Sequence, residues 1–410
     1  MMLSPQTFAA LTKGTIHQEG RTELGQPSID SRTLQANETF FALEGPRFDG
    51  HDFLGAALEG GAGTLVIHHE RAADCSALAR SHSAGIISVE NTETALQETG
   101  VWYRSQYRGR VVGITGSSGK TTTKEMLRTA LSPHGDVVAT RGNLNNHLGV
   151  PLSLSQLVTQ PSFAVFEMGM NAPGEILTLS HWVNSDVAVI TSIGEAHLEG
   201  VGSLEGVAHA KGELFETLAP EAIAICPSNL PFFDHLKGIA GAKLRTVGIE
   251  PADTCRVISQ RIEGSNSIID FVLGDQSYQL SLPCIGAHHV SNALCALTAV
   301  WTLGLLLEPS INALANFELP DMRGQRFELD DGITVSLDCY NANPQSMRAA
   351  IEAHIQQSRK DTVLVLGDML ELGEHSQRAH ASLGQHLNEA LPQALVIVVG
   401  ESMKHCFDVE

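Results

Sequence analysis

The residues best suited to chemistry form a glycine-rich segment, Gly-Ser-Ser-Gly-Lys-Thr-Thr, at positions 116–122. It follows the apolar run 111–114 and precedes helix-forming residues at 124–131, which predicts a strand, a turn and a helix in that order. Backbone N–H groups of such a turn point at a phosphate, and the helix dipole adds to the attraction. The lysine would reach the outer phosphates, and the first threonine hydroxyl would bind Mg²⁺. The pattern predicts a nucleoside triphosphate site formed by Gly116, Ser117, Ser118, Gly119, Lys120, Thr121 and Thr122.

The segment departs from the usual phosphate-loop spacing, because Ile114 stands where the pattern has its first glycine. An ordinary tight turn before a helix is the alternative, since glycine and serine favour turns in any context. Gly-Lys-Thr directly after a strand is a more demanding combination than a turn requires. We therefore favour the phosphate site.

Two other polar residues follow predicted strands of the same region. Glu167 ends the apolar run 163–166, and His197 follows the run 187–190 after a short loop. In open parallel sheets, ligands bind outside the carboxyl ends of the strands, so both residues should share an edge with the phosphate loop. A carboxylate and an imidazole there suit a divalent metal beside the triphosphate. For His197, an ordinary loop histidine is the alternative.

Lys211 is the most informative residue outside the phosphate loop. It falls on or beside the apolar stripe of the predicted helix 204–218, four residues from both Val207 and Phe215. A buried ammonium is costly unless it is paired. A lysine whose head reaches solvent, or a salt bridge to Glu167 or Glu213, is one interpretation. Carbamylation by CO₂, which would convert the cation into a metal-binding anion, is the other.

Composition limits the classes of protein that the chain can be. With 410 residues, 43% hydrophobic and 18% charged, it predicts a globular protein of several domains. A net charge of −20 argues against nucleic acid as a partner. Seven scattered cysteines and the absence of an evident signal peptide predict a cytoplasmic protein with reduced thiols. The longest apolar run, 293–307, is too short to span a membrane and is predicted to be a buried core helix.

Apolar strands alternate with helical segments along most of the chain, which predicts an α/β protein. A helix at 95–107 leads into the phosphate loop. Strands at 137–139, 163–166, 187–190 and 222–226, with helices between them, predict a mostly parallel sheet. A second α/β unit begins near residue 320, with strands at 335–337, 363–366 and 396–399.

Several separate motifs resemble those of the ATP-dependent Mur ligases of peptidoglycan synthesis. The last two of them are most similar to the MurF type of this family. The motifs are Thr-Gly-Ser-Ser-Gly-Lys-Thr at 115–121, Gly-Asn-Leu-Asn-Asn at 142–146, Glu-Met-Gly-Met-Asn at 167–171, Ala-His-Leu-Glu at 196–199, Ala-Lys-Gly-Glu at 210–213, Asp-Cys-Tyr-Asn-Ala-Asn-Pro at 338–344 and Leu-Gly-Asp-Met-Leu-Glu-Leu-Gly at 366–373.

The resemblance implies three domains. Residues 1–90 would bind the uridine nucleotide of the substrate, residues 91–317 would be the central P-loop domain that binds ATP, and residues 318–410 would be a Rossmann-like ligase domain. Family members usually continue beyond the last strand with a basic segment that this chain does not match. The third domain is therefore expected to be incomplete, with impaired binding of the incoming dipeptide as a possible consequence.

Residue by residue, the resemblance implies roles for matching positions. The substrate contacts would be Ser31, Arg32, Asn145 and Asn146, although each of these also suits an ordinary turn. The further ATP contacts would be Asn292, at the adenine, Arg323, at the domain junction, and Asp338, at the ribose. The contact of Asn292 is less secure, because the chain has His288-His289 where the family usually has His-Asn. One Mg²⁺ would be held by Thr121 and Glu167, and a second by His197 and carbamylated Lys211. The catalytic residues would be Lys120, Lys211, His197 and Glu167.

The implied reaction joins D-alanyl-D-alanine to UDP-N-acetylmuramoyl-tripeptide through an acyl phosphate, with ATP and two Mg²⁺ as cofactors and with release of ADP and phosphate. A cytoplasmic monomer that neither enters a membrane nor binds nucleic acid is expected. Three alternatives stay open: a sister ligase of the MurE type that adds the third amino acid, a folylpolyglutamate synthase, and a nucleotide-binding homologue without catalytic activity.

Overall fold

The chain forms two compact units in a computed structural model that describes residues 2–73, 82–357 and 361–407. The first unit contains residues 1–109 and 140–161. The second contains residues 110–139 and 162–410. Each unit is built around its own sheet, and the predicted phosphate loop belongs to the second.

The first unit has a five-stranded sheet in its described part, with the order β1-β5-β4-β3-β2. The pairs from β2 to β5 are parallel, whereas β1 runs antiparallel to β5. The central strands β4 and β5 are almost wholly buried and consist largely of Ile, Val and Leu, as expected of a parallel strand covered on both faces. The elements are α1 (Pro5–Thr12), β1 (Thr15–Gln18), β2 (Pro27–Ser28), β3 (Thr39–Phe41), α2 (Leu54–Glu59), β4 (Thr64–His68), β5 (Gly85–Val89), α3 (Thr92–Gln106) and α5 (Gly149–Ser155).

The second unit contains a nine-stranded sheet in its described part, with the order β14-β13-β12-β11-β10-β9-β6-β8-β7. From β7 to β12 all pairs are parallel, as predicted. The strands are β6 (Arg110–Thr115), β7 (Val137–Ala139), β8 (Phe163–Glu167), β9 (Val187–Ile190), β10 (Ile223–Pro227), β11 (Leu244–Gly248), β12 (Cys255–Glu263), β13 (Asn266–Leu273) and β14 (Gln276–Leu282).

Strands β12, β13 and β14 form an antiparallel meander that the sequence analysis did not predict. The turns between them contain Gly264 and Gly274, both with a φ of +63°. A left-handed backbone conformation of this kind costs little in glycine and is typical of tight hairpin turns. The meander extends one edge of the sheet, away from the phosphate loop, which follows the central strand β6.

Helices of the second unit pack on the sheet and carry the remaining predicted residues. They are α4 (Lys120–Leu131), α6 (Glu175–Val183), α7 (Leu198–Val201), α8 (Leu204–Glu216), α9 (Phe233–Ala240), α10 (Ala287–Thr302), α11 (Leu307–Leu314), α12 (Pro344–Ile355) and α13 (Ser376–Ala390).

The prediction of one helix over 293–307 is wrong. Helix α10 ends at Thr302, and α11 begins at Leu307. The break comes at Gly304, which has a φ of +77° and ends the helical path of the chain. The prediction that this segment is buried in the core is confirmed for α10, in which residues 292–300 are all buried.

The last part of the second unit contains two small sheets of two strands each. The first pairs β15 (Gln325–Glu328) with β16 (Thr334–Leu337) antiparallel, and the second pairs β17 (Val363–Gly367) with β18 (Leu395–Val399) parallel. These strands agree with the predicted runs to within one residue at each end, apart from β15, which was not predicted. Helix α12 begins directly after the motif at 338–344, where Asn343 caps it.

The main apolar core of the second unit lies between the sheet, α4 and α10. Leu127 and Leu131 of α4 and Leu294 and Leu297 of α10 are all fully buried in it. Helix α4 follows the phosphate loop directly, and Asn292 of α10 lies against Gly119. Packing of these two helices in the core therefore fixes the position of the loop. The six described cysteines are free thiols, five of them buried, and Cys75 lies outside the described residues. Within residues 2–73, 82–357 and 361–407, no helix is long and apolar enough to cross a membrane.

Truncation of Leu294 to alanine should destabilise the second unit by about 2–5 kcal/mol, because the side chain is fully buried and the neighbouring helices cannot close the cavity. Leu306→Ala is the matched control, since Leu306 is 72% exposed and its truncation should cost less than about 0.5 kcal/mol. Denaturant titration followed by tryptophan fluorescence measures both. Equal destabilisation by the two changes would contradict the assignment of this core.

Candidate active site at the phosphate loop

The predicted phosphate loop has the expected local structure. Strand β6 ends at Thr115, the turn runs from Gly116 to Gly119, and α4 begins at Lys120. Gly119 is the residue before the helix and has a φ of +83°, and Gly116 has a φ of +154°. A Cβ atom on Gly116 would lie 2.0 Å from Oγ1 of Thr191, so both backbone conformation and close packing require glycine there.

The loop after β9 holds this turn in place. The N–H of Ser117 donates to the carbonyl of Ser192 (3.0 Å), and the N–H of Ser118 donates to its hydroxyl (2.8 Å). The Ser117 hydroxyl also bonds to the backbone of Gly194. The N–H groups of Lys120, Thr121 and Thr122 begin the helix and have no preceding turn to bond to. They form the part of the loop that is available to an anion.

Polar side chains of α4 and β8 meet beside the loop. Lys120 donates to the carbonyl of Gly116 (2.7 Å), and the Thr121 hydroxyl donates to Oε2 of Glu167 (3.0 Å). Glu167 is 2% exposed at the end of β8, and Nζ of the buried Lys124 lies 3.9 Å from its Oε2. The structure thus brings Lys120, Thr121 and Glu167 together, as their positions at one sheet edge predict.

Three residues from the last part of the chain reach the same place. Arg323 donates from Nη2 to the Thr121 hydroxyl (3.3 Å), and Asn343 donates from Nδ2 to the Ser118 hydroxyl (3.0 Å). Oε2 of Glu371 lies 2.6 Å from Nδ1 of His197. The last part of the chain therefore supplies three polar side chains to this region.

Lys211 is 1% exposed on the buried face of α8. In the described part of the chain, no carboxylate pairs with its Nζ and no acceptor bonds to it. Glu213 instead accepts from the N–H groups of Gly174 and Leu177 at the start of α6, and Glu167 is engaged with Thr121. Neither the solvent-reaching lysine nor the salt bridges considered from the sequence are therefore present among these residues.

Burial and neighbouring cations disfavour positive charge on these side chains. Burial lowers the pKa of Lys211 well below its ordinary value, and the charge of Lys120 lowers it further. Burial also lowers the pKa of Lys120, an effect that Glu167 opposes and Arg323 strengthens. The pKa of His197 falls through burial and the nearby Lys211, while Glu371 acts in the opposite direction. A bound anion would act in the opposite direction and favour the protonated forms of these side chains.

The donors at Thr121 and Glu167 fit a magnesium ion. The two oxygens are 3.0 Å apart, which matches the spacing of about 3.0 Å between adjacent ligands of an octahedral ion with bonds near 2.1 Å. His197 and Lys211 do not fit a second ion as they stand, because an ammonium has no lone pair to offer. A carbamate on Lys211 would supply oxygen ligands there. No group of three His, Cys, Asp or Glu side chains suited to a metal occurs among the described residues.

A cavity of about 510 Å³ opens at the start of α10. His288 and His289 of α10 and Asp338 lie on its wall, and one turn further along α10 the buried Asn292 packs against Gly119. Burial lowers the pKa of His288 to about 4, and burial together with the neighbouring His288 lowers the pKa of His289 well below its ordinary value. Burial raises the pKa of Asp338, against the opposing charge of Arg323.

The predicted substrate residues all lie in the first unit. Asp30 accepts from Nε and Nη2 of Arg32 (2.9 and 2.6 Å), which lowers the pKa of Asp30 to about 2 and fixes the direction of a guanidinium that is 85% exposed. Ser31 lies in the same turn. Asn146 accepts from the N–H of Gly149 at the start of α5, and Asn145 precedes it in the same loop.

The chain is similar to known proteins along most of its length. Three Mur ligase profiles match the chain: the family catalytic domain at 27–104, the middle domain at 114–300 and the glutamate ligase domain at 322–406. The UDP-N-acetylmuramoyl-tripeptide–D-alanyl-D-alanine ligase of Bacillus subtilis (strain 168) is 35% identical over 92% of this chain and 81% of its own length.

The chain belongs to the Mur ligase family.

Solved structures of this family agree with the fold. A crystal structure of MurF from Acinetobacter baumannii is similar over 100% of this chain and 88% of its own, with 32% identity and a TM-score of 0.90. That of MurF from Thermotoga maritima in complex with ADP is similar over 93% and 86%, with 28% identity and a TM-score of 0.80. The prediction of a three-domain α/β Mur ligase fold of the MurF type is confirmed. So is the predicted enzyme class, an ATP-dependent amide ligase of peptidoglycan precursor synthesis.

Sequence reasoning missed four residues of this Mur ligase site. Asn343 and Glu371 were inside recognised motifs without an assigned role, and both contact the phosphate-loop region. Lys124 was interpreted only as part of a helix, and Gln345 packs against Gly194. The spacing of Lys124, one helical turn after Lys120, was a usable signal, because it places both lysines on one face of α4.

Alanine at Gly119 should abolish tight nucleotide binding. Its Cβ would lie 2.7 Å from Oδ1 of Asn292, and the φ of +83° costs a non-glycine residue about 1–2 kcal/mol. Losing one or two phosphate hydrogen bonds from the displaced turn weakens affinity roughly 10- to 100-fold. Titration with Mg²⁺ and ATP, followed by thermal shift, measures this change.

Gly174→Ala is the matched control for that substitution. Gly174 also precedes a helix, α6, with a φ of +86°, but nothing lies within 4 Å of the added Cβ. We expect a similar loss of stability with unchanged ATP affinity. Parallel losses of affinity in both variants would contradict a specific role of Gly119.

Proposed function

We propose that this Mur ligase joins D-alanyl-D-alanine to the free carboxyl group of UDP-N-acetylmuramoyl-tripeptide, using ATP and releasing ADP and phosphate. The observation that carries the proposal is the pair of cations at the phosphate loop, where Lys120 donates to the carbonyl of Gly116 and Arg323 donates to the Thr121 hydroxyl. Relatives at 35% identity bear the name of this ligase. Both substrates of the first step are anions, so a site of this charge suits them.

In the first step, the tripeptide carboxylate attacks the γ-phosphorus of ATP. The bond from that phosphorus to the bridging oxygen breaks, and ADP leaves with the electron pair. Two anions must approach each other, which is unfavourable unless fixed cations offset their repulsion. Lys120 and Arg323 serve this purpose, and the N–H groups at the start of α4 bind the phosphates. The product is an acyl phosphate.

In the second step, the neutral amine of D-alanyl-D-alanine attacks the acyl carbon and phosphate departs. An acyl phosphate is already activated, so no side chain needs to act as a covalent nucleophile. Placement of the two reactants and stabilisation of the departing phosphate supply most of the acceleration. The groups that bound the γ-phosphate in the first step are in place to stabilise it again.

Two magnesium ions complete the proposal. Thr121 and Glu167 would hold one, and His197 together with carbamylated Lys211 would hold the other. When bound, these ions neutralise phosphate charge and orient the transferred group. Carbamylation would also remove an unpaired buried cation, which is costly in the protein as it stands.

The remaining predicted residues receive roles in binding. The cavity of about 510 Å³ lined by His288, His289 and Asp338 is proposed to accept the adenosine part of ATP, with Asn292 one turn further along α10 as the adenine contact. In the first unit, Arg32, already oriented by Asp30, is proposed to bind the uridine diphosphate with Ser31. Asn145 and Asn146 are proposed to face the same substrate. We place the enzyme in the cytoplasm as a monomer, where ATP and the nucleotide-linked precursor occur together.

Turnover should require all three substrates and the metal. With UDP-N-acetylmuramoyl-tripeptide, D-alanyl-D-alanine, ATP and Mg²⁺ present, we expect release of ADP and phosphate, together with an amide product seen by mass spectrometry. Omission of the dipeptide, the tripeptide or Mg²⁺ should each abolish sustained turnover. The Gly119→Ala variant serves as the negative control.

The same assay separates the alternatives. ADP release with a single free amino acid, but not with the dipeptide, would move the assignment to a sister ligase of the MurE type. ADP release with folate and glutamate would favour a folylpolyglutamate synthase. Nucleotide binding without turnover on any of these substrates would favour a non-catalytic homologue and overturn the proposal.

Replacement of Lys211 by alanine should lower kcat by a factor of about 100 or more, because an anionic ligand at the reacting phosphate would be lost. Small carboxylates such as formate or acetate should restore part of the activity by occupying the place of the carbamate. Lys237→Ala on α9 is the control, since Lys237 is exposed. Signal from ¹³C-bicarbonate incorporated into the parent protein, absent from the variant, reports the carbamate directly. Full activity of Lys211→Ala would refute this role.

A further inference from the structure

Tyr340 has no role in the site described so far, although it lies in the motif at 338–344, between β16 and α12. Its side chain remains 44% exposed, so its contribution to an apolar core is small. Core packing therefore does not explain why an aromatic ring occupies this exposed loop beside the candidate nucleotide site. The contact that provides one is with Arg323.

The Arg323 guanidinium lies over the tyrosine ring. Its Cζ atom is 4.0 Å from the ring centroid, well inside the distance at which a cation is attracted to an aromatic face. The same guanidinium also donates from Nη2 to the Thr121 hydroxyl of the phosphate loop (3.3 Å). The guanidinium is therefore held between an aromatic ring and the first residues of α4.

Backbone hydrogen bonds fix the two segments to each other. The N–H groups of Cys339 and Tyr340 both donate to the carbonyl of Met322 (3.1 and 3.3 Å), directly before Arg323. Met322 itself has a left-handed φ of +56°, which turns the chain at this point. The ring and the guanidinium thus belong to one local structure rather than meeting by chance at a surface.

We propose that Tyr340 is a positioning residue that holds the Arg323 guanidinium at the phosphate loop, ready to pair with the terminal phosphate of ATP. An arginine side chain has many rotamers, and fixing it only when phosphate arrives would reduce affinity. A planar ring on one face limits those rotamers and leaves the edge N–H groups free to donate. The proposal rests on the proposed function only in taking a nucleoside triphosphate as the ligand.

Binding measurements without turnover test this role. We compare ADP with an ATP analogue whose β–γ bridge is an imide, each with Mg²⁺, by calorimetry. Tyr340→Leu should weaken the analogue about five- to tenfold, the range expected for loss of a partly exposed cation–π contact, and change ADP affinity by less than about twofold. Tyr340→Phe keeps the aromatic face and should bind both nucleotides like the parent.

A double-substitution cycle excludes a merely structural effect. Once Arg323 is replaced by leucine, the further change Tyr340→Leu should add no loss of analogue affinity, because the ring acts only through the guanidinium. Phe232→Leu, at a ring that is 42% exposed elsewhere in the second unit, is the matched control and should bind like the parent. Thermal unfolding of each variant verifies that it is folded.

Three outcomes would overturn the inference: equal weakening of ADP and analogue by Tyr340→Leu, a loss in Tyr340→Phe as large as in Tyr340→Leu, or additive losses in the double variant. A parent chain that binds the analogue but forms no amide would instead overturn the proposed ligase reaction and leave this test valid.

Discussion

Burial of basic side chains around the phosphate loop is the constraint on which the candidate site depends. Lys211 lies on an apolar helix face, 1% exposed, and the nearby charge of Lys120 adds to the cost of its own charge. Removing an ammonium from water costs several kcal/mol even after the protein relaxes. Burial of apolar side chains in the large core between α4, α10 and the sheet offsets that free-energy cost when the second unit folds. A bound polyanion would be attracted to the buried cations, and this attraction would contribute to its binding free energy.

The site is assembled from chain segments that are far apart in sequence. The parallel sheet brings the ends of β6 and β8 and the loop after β9 to one edge, which accounts for Lys120, Glu167 and His197. The last part of the chain then adds Arg323, Asn343 and Glu371, and each of these contacts the phosphate loop or the loop after β9. The geometry around the phosphates therefore depends on both parts of the second unit. Movement of one part relative to the other would change three contacts at once.

The sequence predicts features that depend on nearby residues better than contacts between residues that are far apart in the chain. A phosphate loop is local, and the edge shared by Glu167 and His197 follows from a general property of parallel sheets, so both were predictable. The approach of Glu371 to His197 was not, because both residues have left-handed backbones, with φ of +61° and +56°, that their types do not signal. The prediction of one helix over 293–307 failed for a related reason: a glycine inside an apolar run is compatible with a helix, and its type alone does not reveal the left-handed φ that Gly304 adopts. Contacts that depend on long-range packing cannot be predicted from the spacing of residues in the sequence.

The polar groups of the site also differ in whether other protein groups supply their hydrogen-bond or ion-pair partners. Lys120 donates to Gly116, Thr121 donates to Glu167, and Arg323 stacks on Tyr340, so each has a partner that phosphate could replace. Lys211 has no hydrogen bond or ion pair within the described residues. Among these groups it is the one that reaction with CO₂ would relieve most. A carbamate would reverse the sign of its charge, so that its interaction with Lys120 would become attractive instead of repulsive. The same buried position that makes the ammonium costly thus favours the anion, because the neighbouring cation is already in place.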